Sequence, residues 1–202
     1  MTGNLQSQSI YAEENFKDLH LTHLELAGSE FSGCTFTNCL LVEAVLRDCR
    51  FVSCRFVGCD LSLVQLPGTS FATTRFEKTR LLGINWTLAR WPAAGLGDPV
   101  GFWGCGLNHS TLLGLSLRGL QLIDCAALEV DFREADLEQA DFNGSDLSGS
   151  LFLHTNLKAA DLSRARNYQI NPSENTLSGA KFSLPEAMAL LYNLDIELVD
   201  SV

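Results

Sequence analysis

In the stretch Ala135-Asp136-Leu137-Glu138-Gln139, Ala140-Asp141-Phe142-Asn143-Gly144, Ser145-Asp146-Leu147-Ser148-Gly149, one five-residue pattern occurs three times. A small residue is followed by Asp, a large apolar residue, and two polar or flexible positions. The pattern extends in both directions. Every fifth residue from Phe16 is Phe or Leu for fourteen positions without exception: Phe16, Leu21, Leu26, Phe31, Phe36, Leu41, Leu46, Phe51, Phe56, Leu61, Leu66, Phe71, Phe76 and Leu81. The frame continues through Trp86, Trp91 and Leu96, slips by one residue, and resumes at Phe102, Leu107, Leu112, Leu117 and Leu122. Beyond Ala127 it runs through Phe132, Leu137, Phe142, Leu147, Phe152, Leu157 and Leu162, and faintly reaches Leu177 and Phe182.

A second column lies two residues before the first and is nearly all small. It holds Cys34, Cys39, Ala44, Cys49, Cys54, Cys59, Val64, Thr69, Thr74 and Thr79, and later Cys105, Ser110, Cys125, Ala135, Ala140, Ser145 and Ser150. A period of five is neither the 3.6 of a helix nor the 2.0 of a flat strand. One large and one small inward residue per five suits a chain that turns a corner after every short strand. Four such faces make a coil of about twenty residues, and successive coils stack about 4.8 Å apart. The expected class is therefore all-β, a repeat solenoid with one narrow core.

Composition narrows the rest. A formal charge of -10 over 202 residues argues against binding nucleic acid through its phosphates, which requires a locally basic surface. The absence of a signal-type leader and of any apolar run near 18 residues leads us to expect a cytoplasmic protein. All seven cysteines fall in the small column, and none forms a CxxC pair. Cys34 and Cys54, Cys39 and Cys59, and Cys105 and Cys125 are each one coil apart, so stacked disulfides or a metal ladder are conceivable. The favoured reading is that a thiol fits where Ala, Ser or Thr also fit. His20, His23, His109 and His154 do not cluster with the cysteines at ligand spacing, so no metal or cofactor is expected. HExxH, P-loop and GxSxG motifs are missing, and a core filled with Phe and Leu leaves no room for an internal substrate pocket. An enzyme is not expected.

Three segments depart from the repeat. Pro92, Gly95, Gly97, Asp98 and Pro99 mark an irregular joint or small loop near 92–101, dividing residues 1–182 into two stacks, about 12–96 and 101–182. Residues 183–202 form a cap. Ser183-Leu184-Pro185-Glu186 has capping-box spacing, followed by an apolar helix carrying Ala187, Met188, Leu191 and Leu194. The stretch 195–199 then alternates like a strand, with Ile196 and Leu198 on one side. Leu184, Ala187, Met188, Leu191, Leu194, Ile196 and Leu198 exceed what one coil end needs, so this cap is expected to join two chains about a two-fold axis. The amino end to Asn15 is polar and is expected to fray or lie over the first coil. Charge is uneven: residues 1–100 carry net -2 and residues 101–202 net -8. Glu129, Asp131, Glu134, Asp136, Glu138, Asp141 and Asp146 crowd one short span and are the expected partner surface.

The repeated A(D/N)Lxx pattern of residues 135–149 resembles the signature of the pentapeptide-repeat proteins, and the resemblance spans about residues 12–182. It implies a right-handed quadrilateral β-helix. Leu82 to Pro92, and Phe182 through Ile196, resemble segments of the topoisomerase-protecting subgroup, which includes Qnr-type quinolone-resistance proteins and the immunity proteins of microcin and albicidin producers. This implies a C-terminally joined homodimer that engages bacterial DNA gyrase, with topoisomerase IV as a second candidate, and relieves poisoning by an inhibitor. Such a dimer would be about 80 Å long, matching duplex DNA that carries about 47 negative charges. Gram-negative Qnr proteins also carry large projecting loops, and the unbroken period from residue 16 to 96 leaves no room for the first of them. The alternative is a non-catalytic structural or adaptor solenoid with an unrelated protein partner.

Overall fold

The computed structural model describes residues 5–91, 100–194 and 196. Short strands pair in parallel at a register of twenty residues: Ile10–Ala12 with Glu30–Ser32, Asn15–Lys17 with Thr35–Thr37, and Arg55–Val57 with Arg75–Glu77. Each coil thus lays four five-residue faces on the coil before it, and the column residues point inward. Phe16, Phe36, Phe56 and Phe76 stack one above another with ring centroids 4.8, 4.6 and 4.9 Å apart. That is the inter-strand spacing, so backbone pairing and ring stacking satisfy the same geometry. A second ladder runs Tyr11, Phe31, Phe51 and Phe71, and the two ladders meet edge to face, as at Phe31 and Phe36 (5.5 Å, 64°). Each fully buried Phe or Leu contributes about 1.5–3 kcal/mol, and their continuous stacking makes a single core.

The corners require a left-handed residue. The position two after nearly every core residue has positive φ, as at Glu13 (55°), Asp48 (49°), Glu134 (59°) and Gly68 (69°). Among the described residues twenty non-glycine residues adopt it, which would be strained in isolation. The stack holds them there. Most corner amides donate to a carbonyl of the next coil, as Glu13 N to Ser32 O (2.8 Å) and Glu129 N to Ser148 O (2.8 Å).

The core column resumes at residue 100 in a different register from the one the spacing suggests. Phe76 pairs with Phe102 and Arg75 with Gly101, so this coil holds six residues more than its neighbours. The rings of Phe76 and Phe102 stack at 5.3 Å. The successor of Phe76 in the column is therefore Phe102 and not Leu96. The one-residue slip is a six-residue insertion, one full repeat plus one, which a count in fives cannot distinguish. Pro92, Gly95, Gly97, Asp98 and Pro99 lie outside the described residues. Trp86 is buried at the core, whereas Trp91 is half-buried and donates its indole N–H to the Trp86 carbonyl (3.0 Å).

The carboxyl end corrects the sequence reading, and the amino end takes one of its two expected courses. From residue 5 onward it packs on the first coil: Leu5 is buried, Ile10–Ala12 joins a sheet, and Tyr11 stacks on Phe31. At the other end the helix is one short stretch, Met188–Tyr192, and no side chain caps it. Ser183 and Glu186 serve the solenoid instead. The Ser183 hydroxyl accepts the Arg164 amide (3.0 Å) and the Glu186 carboxylate accepts the Asn167 amide (2.5 Å). These amides belong to left-handed residues near the last coil's corners, and Ser183 and Glu186 fill the places that a further coil's carbonyls would take. Of the expected strand 195–199 only Ile196 is described, and Leu198 lies outside the described residues.

Candidate partner surface

The seven acids of the 129–146 span do not form a patch. Asp131 bridges Thr111 and Leu151, Asp136 bridges Ser116 and Asn156, Asp141 bridges Gln121 and Asp161, and Asp146 bridges Ala126 and Arg166. These are four separate ladders, so the four aspartates face four directions around one coil. Glu129 and Glu134 occupy exposed corners, and Glu138 lies on the same face as Asp136. The acids form a girdle.

The girdle is partly neutralised. Asp131 pairs with Arg133 (2.8 Å) and Asp146 with Arg166 (3.2 Å). Arg118 bridges Asp136 (2.6 Å) and Glu138 (3.1 Å), and Lys158 also reaches Glu138 (3.1 Å). Glu129 faces His109 (3.1 Å). Among the described residues Glu134 and Asp141 have no ion-pair partner.

The aspartates also have a local task that spacing alone does not reveal. Each accepts the backbone amide two residues on: Arg133 N to Asp131 (3.1 Å), Glu138 N to Asp136 (3.3 Å), Asn143 N to Asp141 (2.9 Å) and Ser148 N to Asp146 (3.1 Å). This is an Asx turn, and it leads into the corner. Asn156 and Asn85 do the same with Lys158 and Thr87, which explains why Asn can replace Asp in the repeat. Burial opposes ionisation of Asp146, but hydrogen bonds from Ser148 and Asn167 and the Arg166 charge outweigh it and bring its pKa down to about 2. The Arg133 hydrogen bond likewise lowers Asp131, and the Ser163 hydrogen bond lowers Asp161.

The cap presents the other candidate surface. Ala189 and Leu190 pack against the core from above, while Ala187, Met188 and Leu191 are half-buried. Leu184, Tyr192, Leu194 and Ile196 are exposed at 76, 69, 39 and 49%, a concentration of open apolar side chains at one end of the rod.

All seven cysteines are buried free thiols. Each donates to a carbonyl of the preceding coil, as Cys54 to Phe31 O (3.4 Å) and Cys125 to Phe102 O (3.4 Å). Thr79 and Ser145 make the same bond to Phe56 O (3.1 Å) and Leu122 O (2.7 Å). The column selects a small side chain; Cys, Thr and Ser there also donate to the preceding coil, whereas Ala44, Val64, Ala135 and Ala140 fill the same place without a donor. Burial pushes the Cys54 thiol up to about 11. Among the described residues no group of three His, Cys, Asp or Glu side chains could hold a metal ion, and no helix is long and apolar enough to cross a membrane.

Parallel short strands coiling around a filled core define the class, a right-handed β-solenoid with a short C-terminal helix. Two family models match the sequence, one described as pentapeptide repeat region over residues 29–112 and one described as pentapeptide repeats (8 copies) over residues 131–166. Together they cover more than half of the chain, which belongs to the pentapeptide-repeat proteins. None of the curated proteins matches it in sequence. Among solved structures it is similar to QnrB1, a plasmid-mediated fluoroquinolone resistance protein. Two trypsin-treated forms each give a TM-score of 0.61 at 19% identity, covering 98 and 96% of this chain and 94 and 91% of theirs. It is also similar to HetL, a protein involved in heterocyst differentiation regulation in the cyanobacterium Nostoc, with a TM-score of 0.50 at 17% identity, covering 88% of this chain and 86% of HetL. At these identities the likeness concerns the fold.

Proposed function

We propose that this protein binds bacterial DNA gyrase, and topoisomerase IV as a second target, by imitating DNA, and that it protects the enzyme from an antibiotic or toxin. The observation that carries this reading is the acidic girdle on all four faces of a filled rod. From whichever side a basic groove approaches, it meets carboxylates. The net -8 of residues 101–202 survives the ion pairing, because pairing redistributes charge without changing its sum. Two chains joined through Leu184, Met188, Leu191, Leu194 and Ile196 would bring both acidic halves to the centre of one long rod. The resemblance of residues 82–92 and 182–196 to the topoisomerase-protecting subgroup, and the full-length likeness to QnrB1, support the choice of partner.

A supercoiling assay with purified gyrase, with and without a quinolone or an albicidin-like poison, tests the reading. We expect rescue or inhibition in a dose-dependent manner. No effect over a wide protein range would overturn it. Light scattering tests the pairing, with a dimer mass expected and a monomer mass at micromolar concentration arguing against the central girdle.

One observation favours a second reading, an adaptor solenoid with an unrelated protein partner. The aspartates have structural reasons to be acidic, in their Asx turns and ion pairs, without any mimicry. The same solenoid serves a regulatory role in HetL.

A further inference from the structure

The coil that follows the insertion is bare on two faces. Gly101, Gly104 and Gly106 occupy outward positions where other coils carry Arg55, Arg75, Lys78 or Arg80. Gly104 is at a left-handed corner (φ 60°) and needs no other explanation. Gly101 has a steric one: a Cβ there would collide with the Trp103 ring, so its absence lets the indole lie across the face. Gly106 has neither. Its φ is not positive, and no atom lies within 4 Å of where its Cβ would be. Glycine at a sheet position loses conformational entropy without compensation and commonly marks close approach by another molecule.

The result is an open depression of about 470 Å³, with Trp103 and Ile123 as its apolar wall and Arg75 and Lys78 on one rim. A second depression of about 420 Å³ shares Lys78 and Gly104 with the first and continues over Gly106. The Arg75 guanidinium sits 5.1 Å from the Trp103 ring centroid. The neighbouring charges are already engaged, Arg80 by Asp60 (3.1 Å) and Glu77 by Arg55 (2.9 Å). Among the described residues Arg75 and Lys78 have no carboxylate partner, and they stand beside a half-exposed tryptophan on a chain of net charge -10.

We propose that this depression docks an acidic protein segment that presents one aromatic or large aliphatic side chain. That side chain lies on Trp103 and Ile123, and carboxylates beside it reach Lys78 and Arg75. Asp124 and Glu77 on the rim, together with the overall negative charge, repel a polyphosphate but accept a segment with one or two carboxylates. The proposal does not rest on the topoisomerase reading: none of the lining residues belongs to the girdle or the cap, although Ile123 and Asp124 lie one coil below Asp141 and Asp146.

The test uses the full chain, labelled with nitrogen-15, titrated with a blocked pentapeptide of one phenylalanine flanked by one glutamate and then one glycine on each side. Its counterpart with lysines is the control. A saturable shift of the Trp103 indole resonance is expected with the acidic peptide only, at least about tenfold weaker in Lys78→Glu and in Ile123→Asp, which removes part of the apolar wall. Unchanged melting temperatures establish that both variants fold. No shift up to millimolar peptide, an equal shift with the lysine peptide, or undiminished binding by Lys78→Glu would each overturn the proposal. Supercoiling assays on Lys78→Glu separate this site from the gyrase reading, which predicts unchanged gyrase activity for that variant.

Discussion

The two halves of the rod reach the same cross-section by different means. In residues 10–91 most faces with Phe at the centre are three-residue strands, and Phe rings stack through successive coils. In residues 100–182 Leu predominates, most faces shrink to a single bridge, and the corner is closed by a turn hydrogen bond. Ala140 N to Leu137 O (3.0 Å) and Ser150 N to Leu147 O (3.0 Å) are examples. The residue before the core position accompanies the change. Arg50, Arg55, Ser70 and Arg75 leave the backbone extended, whereas Asp131, Asp136, Asp141 and Asp146 draw it into an Asx turn. The first half therefore relies more on aromatic stacking and the second more on polar organisation of its corners. A consequence is charge. The device that folds the second half also makes it acidic.

Core truncation tests the stacking side of the comparison and should have the largest effect. Phe56→Ala removes a ring stacked between Phe36 and Phe76 and should cost about 3–5 kcal/mol in urea unfolding. Leu147→Ala, equally buried but outside any aromatic ladder, should cost about 2–5 kcal/mol and no more than Phe56→Ala. A larger loss at Leu147 would break the comparison.

The polar side is tested at the same position in the repeat. Asp146→Ala should lose about 1–2 kcal/mol, because the Ser148 amide and the Asn167 side chain lose their acceptor. Asp146→Asn keeps an acceptor and should lose less. Arg50→Ala, at the corresponding place in the first half, should stay within about 0.5 kcal/mol.

Acid sharpens the difference further. Asp146 titrates near 2 in the folded chain, below its ordinary 3.8, so its stabilisation is present above about pH 4 and is lost as pH falls toward 2. Asp131 and Asp161 are shifted in the same direction. Hydrogen exchange measured down this range should show the second half losing protection before the first. The most local effect is at the cap: Ser183→Ala should cost about 1 kcal/mol and deprotect the Arg164 amide selectively.

Much of the fold was readable because its rule is simple. A strict period with one large and one small inward residue admits few structures, and fourteen unbroken positions leave little doubt about which side faces in. Where the reading failed, two solutions shared one local pattern. An insertion of six looks like a slip of one when counted in fives, and only the pairing of Phe76 with Phe102 separates them. Ser183 and Glu186 have capping-box spacing whether they serve their own helix or the amides of Arg164 and Asn167 across the coil. The candidate surface was less readable. Its acids were identifiable by composition, but their spread over four faces follows from coil geometry, and their Asx bonds from backbone direction. The Trp103 depression escaped altogether, because Gly101 and Gly106 are informative only once their neighbours one coil away are known.

Mimicry of DNA by the second half is tested most directly by competition for gyrase. A fluorescent duplex bound to gyrase is displaced by increasing amounts of the wild-type chain or of a variant carrying Asp131→Asn, Asp136→Asn, Asp141→Asn and Asp146→Asn. The amides retain the Asx acceptors, so the fold should persist while four charges disappear. Displacement by the wild type, with at least about tenfold more of the variant required, is the predicted result. No displacement by the wild type, or equal displacement by a folded variant, would contradict it.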